Sequence, residues 1–263
     1  MTSREDDLRR ITEALERCGA SLLELWQRNL KVEFKEGDDP VTEADRIADA
    51  LLKEILPQDG DGWLSEETRD DPGARLGRKR VWIVDPLDGT REYVSGIPEW
   101  CVSIGLIEDG VPVAGGIHNP VTKELITGAT GLGVQVNRGP ATERRCSGLA
   151  GSEVLASNSE VNRGEWERFD DEPFTVRSCG SVAYKLGLVG GGLTDATWTL
   201  VPKHEWDVAG GAAVVLAAGG AVYGVDGKPV VFNQEKPKLE GFVAFSTSSR
   251  AHFEPWFEPL WRR

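Results

Sequence analysis

The segment Trp82-Ile83-Val84-Asp85-Pro86-Leu87-Asp88-Gly89-Thr90 carries an apolar run straight into two carboxylates three positions apart. Val81 to Val84 reads as a buried strand. The Asp85-Pro86 step then forces an extended turn. Such a turn can aim both carboxylates and the backbone carbonyl of Leu87 at one point. Hard cations such as Mg²⁺ take oxygen ligands of these kinds. Two carboxylates this close repel each other unless a cation lies between them. The competing reading is a plain Asp-Gly turn.

Three other acidic segments bear on that choice. In Asp39-Pro40-Val41-Thr42-Glu43-Ala44-Asp45, Thr42 reads as a helix cap and Asp45 as a first-turn acid favoured by the helix dipole. That geometry leaves Asp45 able to face a nearby cation. In Leu64-Ser65-Glu66-Glu67, two acids follow the end of an apolar strand; they read as ligands or as a solvated turn. In Glu205-Trp206-Asp207-Val208-Ala209-Gly210-Gly211, Asp207 is either an N-cap or the acid that completes a cluster from the other half of the chain.

Around these segments the periodicity sketches two helices and then a mostly antiparallel sheet. Residues 7–28 have Leu8, Ile11, Leu15, Cys18, Leu22 and Leu25 at helical steps, and Lys31 to Pro40 is a polar break. A second helix starts at Thr42 and is stopped by Pro57 and Gly60. Strands follow at 102–107, 111–117, 124–129 and 133–136, with Asp109-Gly110 as a hairpin signal. Beyond this the pattern alternates: strands at 154–157, 174–176 and 194–200, and helices at 162–169, 181–189 and 207–218. The expected organisation is an N-terminal half, 1–145, with most of the acidic segments, and a C-terminal half, 146–263, with Asp207. The last residues read as a docked tail anchored by Trp256 and Trp261.

The chain has 263 residues, 40% hydrophobic and 28% charged, which is ordinary globular composition. Its net charge of -13 argues against a nucleic-acid polymer as partner, because such a partner needs a basic face. Acids that collect divalent cations can still attract phosphate. No apolar run approaches a membrane span, and the polar start Met1-Thr2-Ser3-Arg4 is no secretory signal. Cys18, Cys101, Cys146 and Cys179 form no metal or disulfide pattern and read as small buried residues of a cytoplasmic protein. Arg75-Leu76-Gly77-Arg78-Lys79-Arg80 reads as a solvated basic loop, or as a steering patch for an anion. Gly190-Gly191-Gly192 lacks the Lys-Ser/Thr ending of a P-loop and reads as a turn.

In this order, the acidic segments resemble the inositol monophosphatase superfamily of Mg²⁺-dependent, typically lithium-sensitive phosphatases. Asp85-Pro86-Leu87-Asp88-Gly89-Thr90 matches its central motif, and Glu205-Trp206-Asp207 with Ala218-Gly219-Gly220 matches its second. The resemblance implies an α+β fold, a layered αβαβα sandwich of the inositol monophosphatase and sugar phosphatase type. It implies two or three Mg²⁺ ions. Glu66, Asp85 and the Leu87 carbonyl would hold one ion. Asp85, Asp88 and Asp207 would hold the second, and a third, looser ion would lie near Glu66. Asp45, Glu66 and Thr90 would be catalytic, with Asp45 and Thr90 orienting the attacking water. The substrate-binding set would be Asp88, Gly89, Thr90, Gly180, Ser181, Lys185 and Asp207. The partner is a small phosphorylated metabolite and the protein a monomer or homodimer. A catalytically silent cation-binding protein would have lost a ligand, and Glu66, Asp85, Asp88 and Asp207 are all present.

The substrate is less sharply written. Inositol monophosphatases usually place an acid seven positions before the Trp-Asp aspartate, where this chain has Leu200. Arg91 after Thr90, Lys185, and the stretch Pro202-Lys203-His204 resemble the 3′(2′),5′-bisphosphate nucleotidase branch. Lys185, Arg91, Arg177 or Lys203 can supply a cation for a second phosphate, and Tyr184 and Trp198 are candidate walls for adenine or ordinary core residues. Gly180-Ser181 is a substrate contact or a plain helix cap. The histidines, His118, His204 and His252, have no necessary role, His204 being a rim residue. The leading expectation is removal of the 3′-phosphate from adenosine 3′,5′-bisphosphate. Inositol phosphate, another sugar phosphate and fructose 1,6-bisphosphate are the alternatives.

Overall fold

Helix α1 (Arg4–Trp26) buries the stripe the periodicity marks, with Ile11, Leu15, Cys18 and Leu22 fully covered. The computed structural model describes residues 3–26, 32–34 and 40–261. Residues 27 and 28 of the expected helix, Asp39 and the side chain of Thr42 lie outside the described residues. The described residues of the polar break form a short antiparallel pair, β1 (Val32–Phe34) and β2 (Pro40–Thr42). Helix α2 (Glu43–Ile55) follows directly and packs beside α1, with Ala44, Ala48 and Leu52 buried.

The first sheet collects β3 (Gly62–Ser65), β4 (Arg80–Asp88), β5 (Cys101–Glu108), β6 (Val111–Asn119), β7 (Glu124–Ala129), β8 (Gly133–Val136) and β9 (Gly139–Pro140) in sequence order. The β3–β4 pair is parallel and the other pairs are antiparallel. The single turn α3 (Pro72–Arg75) links β3 to β4, and the short helix α4 (Thr90–Val94) leaves the end of β4. Strand β4 is apolar on both faces because helices cover both. Trp82 and Val84 pack against α1 and α2, while Val81 and Ile83 pack against a later helix layer.

The second sheet takes β10 (Glu153–Ser157), β11 (Thr175–Cys179), β12 (Ala196–Thr199), β14 (Ala221–Gly224) and β16 (Phe242–Phe245) in the order β11-β10-β12-β16-β14. Helix α5 (Asn158–Asn162) follows β10, and α6 (Val182–Gly190) follows β11. The small pair β13 (Lys203–His204) and β15 (Lys238–Leu239) flanks α7 (Glu205–Ala217). Helices α6 and α7 lie between the sheets, sharing one core with Ile83 and Ile107 on one side and Phe242 and Ala244 on the other. Helix α8 (Arg250–Trp261) closes the outer face of the second sheet through Phe253 and Phe257. Helices, sheet, helices, sheet and helix make the expected αβαβα sandwich.

A glycine of β5 explains how closely this middle layer sits. A Cβ on Gly105 of β5 would come within 2.8 Å of the Ala209 backbone, so helix and sheet meet nearly backbone to backbone. This contact brings the first turn of α7 down to the end of β4.

Several expectations need correction. Residues 162–169 are not one helix: α5 ends at Asn162, Gly164 turns at φ 76, and a 3₁₀ turn spans Glu167–Phe169. The C-terminal tail is a helix, and its deepest anchors are Phe253 and Phe257, with Trp256 and Trp261 only half-buried. Cys146 is half-buried, whereas the other three cysteines are buried as expected. The basic run is not a solvated loop throughout. Arg75 is fully buried, gripping Asp70 at 2.6 and 2.7 Å and reaching the Asn233 side chain, and Arg80 pairs with Asp7, Asp61 and Glu108. Both guanidiniums are structural pairs.

Candidate active site

The ladder of β4 with β5 carries the site. It pairs Asp85 with Ser103 and Asp88 with Cys101, so β4 has one more residue than its partner over this stretch. The expected turn is therefore a bulge within a continuing strand, and Pro86 is tolerated where regular pairing is interrupted. The Leu87 N–H donates to Asp85 Oδ1 at 3.0 Å. Asp85 Oδ2 is left buried without a hydrogen-bond partner.

Two neighbours converge on the Asp85 carboxylate. The parallel register pairs Ser65 with Val84, so Glu66 emerges beside Asp85. Asp207 comes from the opposite layer. It is not the N-cap of α7, the alternative in the sequence reading. His204 is the N-cap, and Asp207 is the third residue of the helix, its Oδ2 accepting the His204 N–H at 2.9 Å in a capping box. One carboxylate oxygen each from Glu66, Asp85 and Asp207 lie within 4.8 Å of one another. Burial, then Glu66, Asp88 and Asp207, hold the Asp85 carboxyl well above the usual carboxylate range. Burial, then Asp88 and Glu66, do the same for Asp207. Three crowded carboxylates with a bare buried oxygen among them fit a hard divalent cation, which would satisfy the oxygen and remove the repulsion. Glu205, in the same motif, does not join them. It is buried, pushed up to about 7 by that burial, and accepts the N–H groups of Asn233 and Gln234.

Asp88 stands beside this trio but is turned toward α6. Its Oδ2 accepts the Ser181 hydroxyl at 2.6 Å and the Ala183 N–H at 2.5 Å. Ser181 takes the helix-cap side of its sequence reading. It caps α6, accepting the Tyr184 N–H at 3.0 Å from a backbone at φ 54, and it touches a candidate metal ligand. Lys185 is buried, with Nζ donating to the carbonyls of Cys179 and Ser181 at 3.2 and 2.7 Å. Its ammonium thus fastens the strained turn at Ser181. On the other flank, Thr90 Oγ1 lies 3.2 Å from Asp45 Oδ1 and 3.0 Å from the Leu87 carbonyl. Gly89, the N-cap of α4, turns at φ 95.

One cleft of about 580 Å³ is lined by Glu66, Asp88, Thr90, Ser181, Lys203 and Asp207. Arg91, Glu92 and Lys185 also line it. His204 sits on its rim, stacked on Trp206 at 4.4 Å between ring centroids. Arg177 does not reach the cleft lining and pairs with Glu153. Tyr184 and Trp198 are core residues, Tyr184 bonding Glu124 and Trp198 lying in an aromatic cluster with Trp166 and Phe169. His118 packs on α1, its Nδ1 3.0 Å from the Leu15 carbonyl. Glu92 is a cleft residue the sequence reading passed over, although it follows Thr90-Arg91 directly. Glu99 is another residue passed over, and it orders the same rim by accepting the Gly180 N–H at 2.7 Å.

The layered fold sets a carboxylate cluster suited to a divalent cation beside a cleft between its layers. The sequence profile of the Inositol monophosphatase family matches residues 5–249, and the chain belongs to that family. It is similar to "Inositol monophosphatase 3" of Solanum lycopersicum, 36% identical over 82% of this chain and 84% of the relative. It is 32% identical to "Fructose-1,6-bisphosphatase/inositol-1-monophosphatase" of Thermotoga maritima over 81% of this chain and 83% of that one. Among solved structures, CysQ from Bacteroides thetaiotaomicron, described as a bacterial member of the family, superposes with a TM-score of 0.75 at 28% identity. It covers 93% of this chain and 98% of its own. The protein is a phosphoric monoester hydrolase of a generally Mg²⁺-dependent family. Among the described residues, no helix is long and apolar enough to cross a membrane.

Proposed function

We propose that this phosphatase removes the 3′-phosphate from adenosine 3′,5′-bisphosphate, giving AMP and phosphate. The observation that carries the choice is the placement of Lys203. It lines the cleft together with Asp207, while Leu200, at the position where an acid would bind ring hydroxyls, lines an aromatic cavity with Trp166 and Phe169 instead. A second phosphate needs a cation near the first, and Lys203 and Arg91 both line the cleft. The stacked Trp206–His204 pair offers a flat face for a base. Four free cysteines fit a cytoplasmic setting.

In this reading Glu66, Asp85, the Leu87 carbonyl, Asp88 and Asp207 hold two Mg²⁺ ions, with a third, looser one near Glu66. Bound Mg²⁺ supplies Lewis-acid charge and lowers the pKa of a water it holds. The chain's own groups do the rest. The Thr90 hydroxyl donates to Asp45, so its lone pair orients the attacking water and takes that water's proton as its own passes to the Asp45 carboxylate. The Gly89 and Thr90 N–H groups, at the start of α4, receive phosphate oxygens. Gly180 and Ser181 meet the leaving group, and Lys185 keeps their turn in shape.

A second reading, an inositol phosphate or broad sugar phosphatase, is favoured by the names of the curated relatives and by Glu92. That carboxyl lines the cleft, is raised by burial, and can pair with a ring hydroxyl. The test is phosphate release with Mg²⁺ from adenosine 3′,5′-bisphosphate, inositol 1-phosphate and fructose 1,6-bisphosphate, compared by kcat/KM. A preference of about 100-fold for the nucleotide, roughly 2.7 kcal/mol, supports the first reading. A preference for inositol phosphate replaces it with the second.

A further inference from the structure

Asp49 lies one helical turn after Asp45, on the same face of α2. Its Oδ1 accepts the Ser65 hydroxyl at 2.5 Å, and its Oδ2 accepts the Thr68 hydroxyl at 2.8 Å. Ser65 Oγ in turn accepts the Glu67 N–H at 3.3 Å. These two hydroxyls bracket Glu66 and Glu67, in a stretch that belongs to no helix or strand. Ser65 is only 2% exposed, so water does not compete freely for that bond. Hydrogen bonds to an ionised carboxylate are about twice as strong as neutral ones.

We propose that Asp49 is a positioning residue: its carboxylate grips both ends of the Ser65–Thr68 segment and fixes Glu66 where its oxygen meets those of Asp85 and Asp207. The proposal rests on the reading that these three acids hold a divalent cation. Asp85 is fixed within its strand and Asp207 within its helix, whereas Glu66 is the first residue past β3, at the start of a stretch that belongs to no helix or strand. A ligand on such a segment loses backbone and rotamer freedom when it binds, unless another contact has already removed that freedom. Helix α2 therefore steadies two parts of the site with residues four apart, Thr90 through Asp45 and Glu66 through Asp49.

The test uses the full chain and Mn²⁺ as the probe, with the dissociation constant read by electron paramagnetic resonance and the fold by thermal melting. Asp49→Ala is expected to weaken Mn²⁺ binding about 10- to 100-fold, the usual cost of losing a partner that orients a ligand. Asp49→Asn is expected to recover most of the affinity, because its carbonyl accepts one hydroxyl and its amide donates to the other. Wild-type affinity in Asp49→Ala overturns the proposal. So does an Asp49→Asn variant as weak as Asp49→Ala, which would show that charge, not grip, matters. If Asp49→Ala fails to fold, Thr68→Val removes one of the two hydroxyls at a half-buried position. Weakened binding there supports the grip, and unchanged binding overturns it. Wild-type protein that binds no Mn²⁺ overturns the cation reading itself, an outcome distinct from any difference among the variants.

Discussion

Thr90 Oγ1 lies 3.2 Å from Asp45 Oδ1, joining the first residue of α4 to a buried carboxylate of α2. The same oxygen is 3.0 Å from the Leu87 carbonyl, so its single proton has two acceptors within reach. In the proposed reading the Leu87 carbonyl would be committed to a cation, which leaves Asp45 to take the Thr90 proton as Thr90 takes one from the attacking water. Thr90→Val and Asp45→Asn should each lower kcat by about 10²–10⁴-fold, the usual span for general acid–base groups, with KM little changed. Thr90→Ser should keep most of the activity. Wild-type kcat in Thr90→Val would remove the pair from the mechanism.

Asp85 and Asp207 carry raised pKa values, mainly through burial. Between the ordinary carboxylate range and those raised values, the folded chain binds more protons than the unfolded one. Stability of the metal-free protein therefore falls as pH rises through this window. Mg²⁺ competes with those protons, so the gain in Tm on adding Mg²⁺ to chelator-treated protein should be larger near pH 8 than near pH 5. A gain that is equal or larger at the acid end would contradict the clustering of these acids around a cation.

Lys203 separates the two substrate readings. Losing a hydrogen bond to a charged group costs about 1.5–3 kcal/mol, or roughly 10- to 150-fold. Lys203→Ala should lower kcat/KM for adenosine 3′,5′-bisphosphate by that factor and leave inositol 1-phosphate nearly unaffected. Equal losses on both substrates would assign Lys203 to the ordering of Glu160, 3.9 Å away, and not to a second phosphate.

Arg75 should matter to folding and not to steering. Arg75→Ala leaves Asp70 and Asn233 without their partner and should cost about 3–5 kcal/mol, the range for breaking a buried ion pair. The exposed Arg78→Ala should stay within about 0.5 kcal/mol. The salt dependence of kcat/KM should be unaltered in both, as measured by denaturant unfolding beside salt-titrated kinetics.

The layers and the meeting of Glu66, Asp85 and Asp207 were legible because they rest on local chemistry. The apolar run Val81–Val84 ending at Asp85 marks a doubly buried strand, and the small residues after Asp207 mark a helix pressed onto a sheet. The exact form of the Asp85–Asp88 stretch was not legible. A bulge and a turn use the same Asp-Pro and Asp-Gly steps, and only pairing with Ser103 and Cys101 decides between them. Arg75 was misread because two of its partners, Asn233 and Gln234, are supplied by a distant segment that lets it be buried. Strands β14 and β16 and helix α8 were missed for a related reason. Their apolar residues are organised by each other across the second sheet, and Pro255 and Pro259 mask the helix. Lys185 appeared as a free cation because nothing in its neighbours announces that the turn at Ser181 folds back onto its ammonium.

The most direct measurement is Mg²⁺-dependent phosphate release by wild type and Asp88→Asn, each with Mg²⁺ and with chelator. The amide oxygen of the variant can still accept from Ser181 and Ala183, so the fold should persist, while the charge that helps hold the cation is gone. Release should be confined to wild type with Mg²⁺. Undiminished Mg²⁺-dependent release by Asp88→Asn would contradict the assignment of this carboxylate to the metal site.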